Sequence, residues 1–180
     1  MLDKNVNRTY SVASYNPAWV VRFGSIKKFL EQVFGGQAVS IEHVGSTSVP
    51  GMRAKPVIDV LVVVTRMQPF LVEKEKMVEA GYEWGTDYIA PNSLIFWKVE
   101  GGGDQKIENI HVLQAGHVSI SQFLDTRDFL REHSVWAEKY GKLKERLNTQ
   151  FPNEYPAYRK GKQDFLTQLH ALAKEWRSHA

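Results

Sequence analysis

The sequence predicts an α+β domain, a sheet covered by its first two helices and followed by a C-terminal helical cluster. Three observations predict it. An amphipathic helical pattern precedes several β-branched runs, the hydrophobic period changes from two to about 3.6 after Ser119, and 180 residues supply one core rather than two. The expectation is one domain over 1–180, with the sheet core at about 15–116 and the C-terminal helices at about 117–180.

Trp19, Phe23, Ile26, Phe29, Leu30 and Val33 recur at spacings of three and four after Pro17, a good first-turn residue. Positions 17–34 therefore read as a helix stopped by Gly35 and Gly36. Ala38, Val39, Ile41 and Val44 predict a strand ending at Gly45. Pro56 to Val64 is a dense β-branched run, as expected of a strand covered on both faces, and marks the expected centre of the sheet. Pro69 opens a charged helix that runs to about Ala80 and ends at Gly81. Tyr82–Ile89, Leu94–Val99 and Lys106–Gln114 read as three more strands, the last two joined across Gly101, Gly102, Gly103 and Asp104 as a hairpin. Three helices then follow, marked by Phe123, Phe129 and Leu130, by Trp136, Tyr140, Leu143 and Leu147, and by Tyr158, Phe165, Leu166, Leu169 and Leu172. Pro152 and Pro156 punctuate the last junction.

Composition narrows the function classes. With 43% hydrophobic and 12% aromatic residues the chain is too apolar for general disorder. No stretch reaches the ~18 apolar residues of a membrane span, and the N-terminus lacks an apolar signal region, so a cytoplasmic protein without a membrane partner is expected. Zero cysteines exclude disulfides, thiolate metal sites and cysteine nucleophiles, so any metal must use His, Asp, Glu or Asn. A net charge of +3 without a long basic stripe gives little electrostatic footprint for a long nucleic acid.

The chemistry concentrates between Ile41 and Val62. Gly45-Ser46-Thr47-Ser48 is a turn of small residues, able to converge backbone N–H groups and hydroxyls on an anion, and Lys55 adds a charge. Asp59 is ionisable inside a run that otherwise favours burial, a costly place for a carboxylate without a cation. Together they suggest a phosphate cradle beside a metal-binding carboxylate. The same residues also fit an ordinary polar loop with Asp59 paired to Arg53 or Lys55. The glycine spacing and the missing Gly-Lys-Ser/Thr exclude a Walker A loop.

Several blocks resemble the GrpB family: Tyr15-Asn-Pro-Ala-Trp19, Glu42-His-Val-Gly-Ser-Thr-Ser-Val-Pro-Gly51, Ala54-Lys-Pro-Val-Ile-Asp59, Ile110-His-Val112, Phe123 through Arg131, and Tyr140 with Lys144. The resemblance runs from about Tyr10 to the final helix. It implies a nucleotidyltransferase-like fold with a mixed sheet, related to DNA polymerase beta and the aminoglycoside nucleotidyltransferases. In that superfamily a Gly-Ser turn holds a triphosphate and two carboxylates at alternate strand positions bind magnesium. Gly45 and Ser46 match the turn and Asp59 the first carboxylate, but the second position is Leu61. The family's His-x-His is here Asn109-Ile-His111, whose ends share a strand face.

The resemblance thus implies Asp59 and His111 as catalytic residues, with Asp59, His111 and His43 as metal ligands, for Mg²⁺ or Mn²⁺, or for a transition metal if the site is His/Asp. Glu42 alternates with His43, so a straight strand lets one of the two face the site. Gly45, Ser46, Thr47, Ser48 and Lys55 would hold phosphates, joined by Arg127 as a bidentate clamp and Lys144 as a point charge. Arg127, Arg131, Lys144, Arg159 and Lys162 equally fit a solvated basic helix face, and His117, His133 and His170 read as surface or capping residues. Tyr155 and Tyr158 read as core, with base stacking as the alternative. Two functions follow from the resemblance. One is metal-assisted transfer of a nucleotidyl group from a nucleoside triphosphate to a small acceptor. The other is a non-catalytic nucleotide- or phosphate-binding module, which Leu61 favours.

Overall fold

The computed structural model describes residues 10–67, 70–101 and 103–179. Helix α1 (Ala18–Phe34) leads into strands β1 (Ala38–Val44) and β2 (Ile58–Val64), then helix α2 (Leu71–Glu79) and strands β3 (Glu83–Thr86), β4 (Leu94–Val99) and β5 (Lys106–Gln114). Helices α3 (Val118–Glu132), α4 (Ser134–Gln150), α5 (Tyr155–Gly161) and α6 (Gln163–Ser178) complete it. Pro69, expected to open α2, Gly102 of the hairpin turn and the N-terminal segment read for a signal lie outside the described residues.

The strands form one sheet in the order β1-β2-β5-β4-β3. β2 and β5 run parallel and the other neighbours antiparallel, so the sheet is mixed, as the family resemblance implies, within the α+β class that the sequence pattern predicts. The centre is β5 rather than β2, because β5 takes β4 as its hairpin partner on one side and β2 on the other. β2 is nevertheless buried on both faces, which is what its unbroken β-branched run requires.

One face carries Val60, Val62, Val64, Ile110 and Val112, packed against Ile26, Leu30, Val33 and Phe34 of α1 and Met77 of α2. Val44, Leu61, Val63 and Leu113 occupy the opposite face, under Ile120, Phe123 and Leu124 of α3. Helix α3 thus covers the sheet as well as opening the helical cluster, where its Phe129 and Leu130 meet Leu169 and Ala173 of α6. Fully burying a Leu, Val or Phe side chain contributes roughly 1.5–3 kcal/mol, so these two layers hold the sheet from both sides. His117 caps α3, its Nδ1 accepting from Ser119 N at 3.1 Å.

The third predicted C-terminal helix is two helices. At their junction a Cβ on Gly161 would stand 2.5 Å from Leu147 Cδ2, so the chain turns there in close contact with α4. Among the described residues no helix is long and apolar enough to cross a membrane.

Candidate phosphate-binding site

β1 ends at Gly45, whose φ of 70° belongs to the left-handed region that glycine enters without strain. Ser46–Ser48 then form one 3-10 turn. Ser48 Oγ donates to Gly45 O at 2.6 Å, and Arg131 of α3 donates to Ser48 O through Nε and Nη2 at 3.0 and 2.9 Å. Thr47 Oγ1 donates to Val57 O at 3.1 Å, which ties the turn to the start of β2. The first N–H groups of a helical turn find no partner within it, and Ser46 and Thr47 hold those positions.

Asp59 lies on the second residue of β2, beside this turn. The parallel register sets it against Asn109 and sets Leu61 against His111, so Asp59, Asn109 and His111 share one sheet face. Asp59 Oδ1 accepts from Asn109 Nδ2 at 2.9 Å and stands 3.7 Å from His111 Nε2. Burial alone would raise the Asp59 carboxyl. His111, then Asn109 and the Lys55 charge, outweigh burial and hold it below the ordinary carboxylate value. His111 Nδ1 and Asn109 Oδ1 are buried with no partner among the described residues.

Facing Asp59 is a cationic wall. Lys55 Nζ donates to Tyr155 OH at 2.8 Å and lies 4.2 Å from the centre of that ring. Lys144 is 3% exposed, donates to Arg53 O and sits 4.6 Å over Tyr140. Lys162 sits 4.7 Å over Tyr158. Burial, with Lys162 and Lys55 adding repulsion, pushes the Lys144 ammonium well below its ordinary range. Burial, then the charges of Lys55 and Arg159, push Lys162 down to about 7. These three lysines, with Lys106 and Arg159, line a cavity of about 310 Å³ together with Gly45, Ser46, Thr47, Asp59 and His111. Tyr158, fully buried in its wall, has a hydroxyl without a partner among the described residues.

The structure therefore brings together Gly45, Ser46, Thr47, Lys55, Asp59, His111 and Lys144 of the expected site. Three others stand elsewhere. Ser48 points into the turn it closes. His43 pairs with Val60 and so faces α1, where its ring stacks on Phe23 at 4.7 Å and its Nε2 meets Thr47 Oγ1 at 3.1 Å. Burial pushes this imidazole down to about 4, against the pull of the Asp59 charge. It is Glu42, paired with Leu61, that lies on the Asp59 face. Arg127 donates to Glu42 Oε2 at 2.9 Å, Asp128 Oδ1 at 2.7 Å and His43 O at 3.3 Å, so its fork is engaged by protein acceptors rather than opened to this cavity. Arg53, one alternative partner for Asp59, pairs with Glu145.

The sequence pattern leaves Lys106 unmarked and assigns Lys162 and Arg159 to a solvated face, while Tyr140 stands in it as core and beside Lys144 in the GrpB-like blocks. A signal was present for Lys162, which stands four residues after Tyr158 and four before Leu166, on the apolar stripe.

The donor set decides which metal chemistry fits. Leu61 is fully buried in the apolar cluster beneath α3, so the position of a second carboxylate is closed. Among the described residues no three His, Asp or Glu side chains gather to hold an ion. A resident two-ion centre does not fit these residues. One Mg²⁺ or Mn²⁺ that takes most of its oxygens from phosphates and water does fit Asp59, with His111 beside it.

The crystal structure of the conserved protein GrpB from Enterococcus faecalis superposes with a TM-score of 0.85 at 30% identity, over 92% of this chain and 99% of that one. The UPF0157 protein YqkA of Bacillus subtilis is 32% identical over 170 residues, which are 94% of this chain and 49% of the relative, so the chain spans about half of YqkA. The Cid1 poly(U) polymerase bound to MgGTP is a remote match, with a TM-score of 0.41 at 14% identity over 69% of this chain and 44% of that one. Residues 9–171 match the GrpB protein family, and the chain belongs to it.

Proposed function

We propose that this protein binds a nucleoside triphosphate, or a phosphorylated small molecule like it, in the lysine-lined cavity. The observation that carries the reading is the convergence of Lys55, Lys144 and Lys162 on a cavity whose wall holds Asp59 as its one carboxylate among the described residues. Like charges depress one another's protonation, and a polyanion relieves that repulsion at every ammonium at once. The phosphates sit against the Ser46–Thr47 end of the cavity and the lysines, and the tyrosine-rich wall flanks the rest of the ligand. The cavity's size suits a small ligand rather than a long nucleic acid, and such a ligand agrees with the cytoplasmic location expected from the sequence.

A second reading adds transfer of the nucleotidyl group to a small acceptor, and the Asp59–His111 pair favours it. The acceptor's hydroxyl oxygen would bond to the α-phosphorus, the bond to the bridging oxygen would break, and pyrophosphate would leave. The hydroxyl proton would pass to the Asp59–His111 pair. A divalent ion arriving with the phosphates and held by Asp59 would supply charge stabilisation there, leaving His111 to take the proton. Buried Leu61 supports the non-catalytic module instead, because it removes the second carboxylate.

Calorimetric titration with ATP, GTP, CTP and UTP, in Mg²⁺, Mn²⁺ or chelator, tests the binding reading. Saturable nucleotide binding that is metal-dependent in the wild type and lost in Asp59→Asn supports it. No binding of any nucleotide under any metal condition overturns it. Pyrophosphate release in the presence of candidate acceptors separates transfer from binding alone.

A further inference from the structure

Lys162 stands at the junction of α5 and α6, where the close approach of Gly161 to Leu147 fixes the chain against α4. The residue lines the cationic cavity, with its Nζ 4.7 Å over the ring of Tyr158. Among the described residues that nitrogen has neither a hydrogen-bond acceptor nor a counter-ion, whereas Lys55 and Lys144 donate to Tyr155 OH and Arg53 O. Unlike the sealed Tyr158 hydroxyl it keeps accessible surface, so a molecule in the cavity can reach it. Burial, then the charges of Lys55 and Arg159, hold its value at about 7, with Lys144 adding to the repulsion and Asp59 opposing it. About half of the amine is therefore uncharged at neutral pH, against roughly 0.03% at the ordinary 10.5. An uncharged, reachable amine beside fixed cations is the arrangement that makes a lysine a nucleophile.

Resting on the phosphate-binding reading above, we propose that Lys162 is a nucleophile that forms an imine with a phosphorylated aldehyde held in this cavity. The Ser46–Thr47 turn and Lys55 bind the phosphate, and Nζ of Lys162 attacks the aldehyde carbon. The nitrogen lone pair bonds to that carbon, the carbonyl π pair moves to oxygen, and the oxygen leaves as water with the two protons of the amine. No oxidant or reductant takes part. The Tyr158 ring covers one side of the nitrogen, which favours an aldehyde over the more crowded carbon of a ketone. The charge of the phosphate does not oppose the adduct. Ammonium and aldehyde give a protonated imine and water with no change in net charge, so a phosphate that draws a proton to Lys162 leaves that equilibrium in place. Burial supplies the uncharged form that attacks.

Pyridoxal phosphate is the probe, mixed with the full chain at pH 7, reduced with borohydride to fix any imine, and located by mass spectrometry of the peptides. The expected result is a single saturable adduct on Lys162, formed at least about tenfold faster than at any other lysine. Lys162→Arg, which keeps the cation and removes the nucleophile, loses the adduct, and Lys160→Arg, at an exposed neighbour, keeps it. Pyridoxal, which lacks the phosphate, labels Lys162 at least about tenfold less, and inorganic triphosphate competes with the labelling. Peptide mapping of the wild type needs neither variant, so the test stands even if one fails to fold. Adducts spread over surface lysines, labelling undiminished in Lys162→Arg, or equal labelling by pyridoxal overturns the proposal. Calorimetry separates the imine from the phosphate site beneath it. Pyridoxal phosphate that binds in competition with inorganic triphosphate but leaves no reduced adduct overturns the imine alone. If neither compound binds, the phosphate reading fails and the imine falls with it.

Discussion

A Cβ built on Gly45 would stand 2.6 Å from Asp59 Oδ2 and 3.1 Å from its Cβ and Cγ. The end of β1 and the carboxylate of β2 are therefore in direct contact, and the absence of a side chain at position 45 is what lets Asp59 lie against the turn. Gly45→Ala introduces two faults at once, the positive φ and the collision. Strain of this kind costs of order 1–3 kcal/mol, and the carboxylate must also move. Thermal or urea denaturation is expected to show a loss in that range, with nucleotide affinity reduced at least tenfold. An Ala variant with wild-type stability and affinity would show that the turn and Asp59 move independently.

Asp59 gives a pH-dependent prediction. Its folded value lies below the ordinary 3.8, so its contribution to stability is complete above that value and is lost as the pH falls through the folded one. Hydrogen bonds to charged groups contribute about 1.5–3 kcal/mol, and Asp59→Asn is expected to lower neutral-pH stability near the lower end of that range. The gap between wild type and variant should close as the pH is lowered beyond 3.8. A gap that persists at pH 2 assigns the loss to packing rather than to the carboxylate charge.

Most of the sheet was legible because its strands carry local patterns. The β-branched run of β2, the Gly-rich hairpin between β4 and β5 and the 3.6-residue stripe of α1 are each written within a few residues. Asp59 was legible for the same reason, as a charge that breaks an apolar run. The partners of Asp59 were less so. Asn109 and His111 reach it only because β5 pairs in parallel with β2, a contact between distant segments. Lys55 and Lys162 belong to a loop and a helix junction that meet only after α4, α5 and α6 have packed, and a helical period names a face without naming what that face meets. His43 shows the limit of proximity in sequence. It is two residues from Gly45, yet strand alternation turns it to the α1 side.

Lys162 supplies a test of the cationic wall. Its folded value near 7 lies below the ordinary 10.5, so the unfolded chain binds more protons between these values, and the free protein gains stability as the pH rises through that window. A bound polyphosphate favours the ammonium and raises its value again. Binding at pH 8 should therefore take up protons, and fewer in Lys162→Met than in the wild type. Calorimetry in two buffers of different ionisation enthalpy measures the uptake directly. Proton-neutral binding at pH 8 would mean that the phosphates do not contact this lysine.

Leu61 decides whether the missing carboxylate can be put back. The residue shares a sheet face with Asp59, but it is fully buried and packs with Val44, Val63 and Leu113 beneath Phe123 of α3. A carboxylate there lies among apolar side chains, and His111, its register partner on β5, is already turned to Asp59. An uncompensated buried charge typically costs 3–5 kcal/mol, so Leu61→Asp is expected to lose stability by roughly 4 kcal/mol. The informative comparison is urea unfolding of this variant with and without Mg²⁺. If the position still opened towards an ion beside Asp59, saturating Mg²⁺ would restore part of the loss by binding only the folded state. Phe123 lies over His111 with ring centres 5.2 Å apart and closes that route, so no metal-dependent rescue is expected. Rescue by Mg²⁺ would show that α3 yields easily and that the second metal position is latent rather than closed.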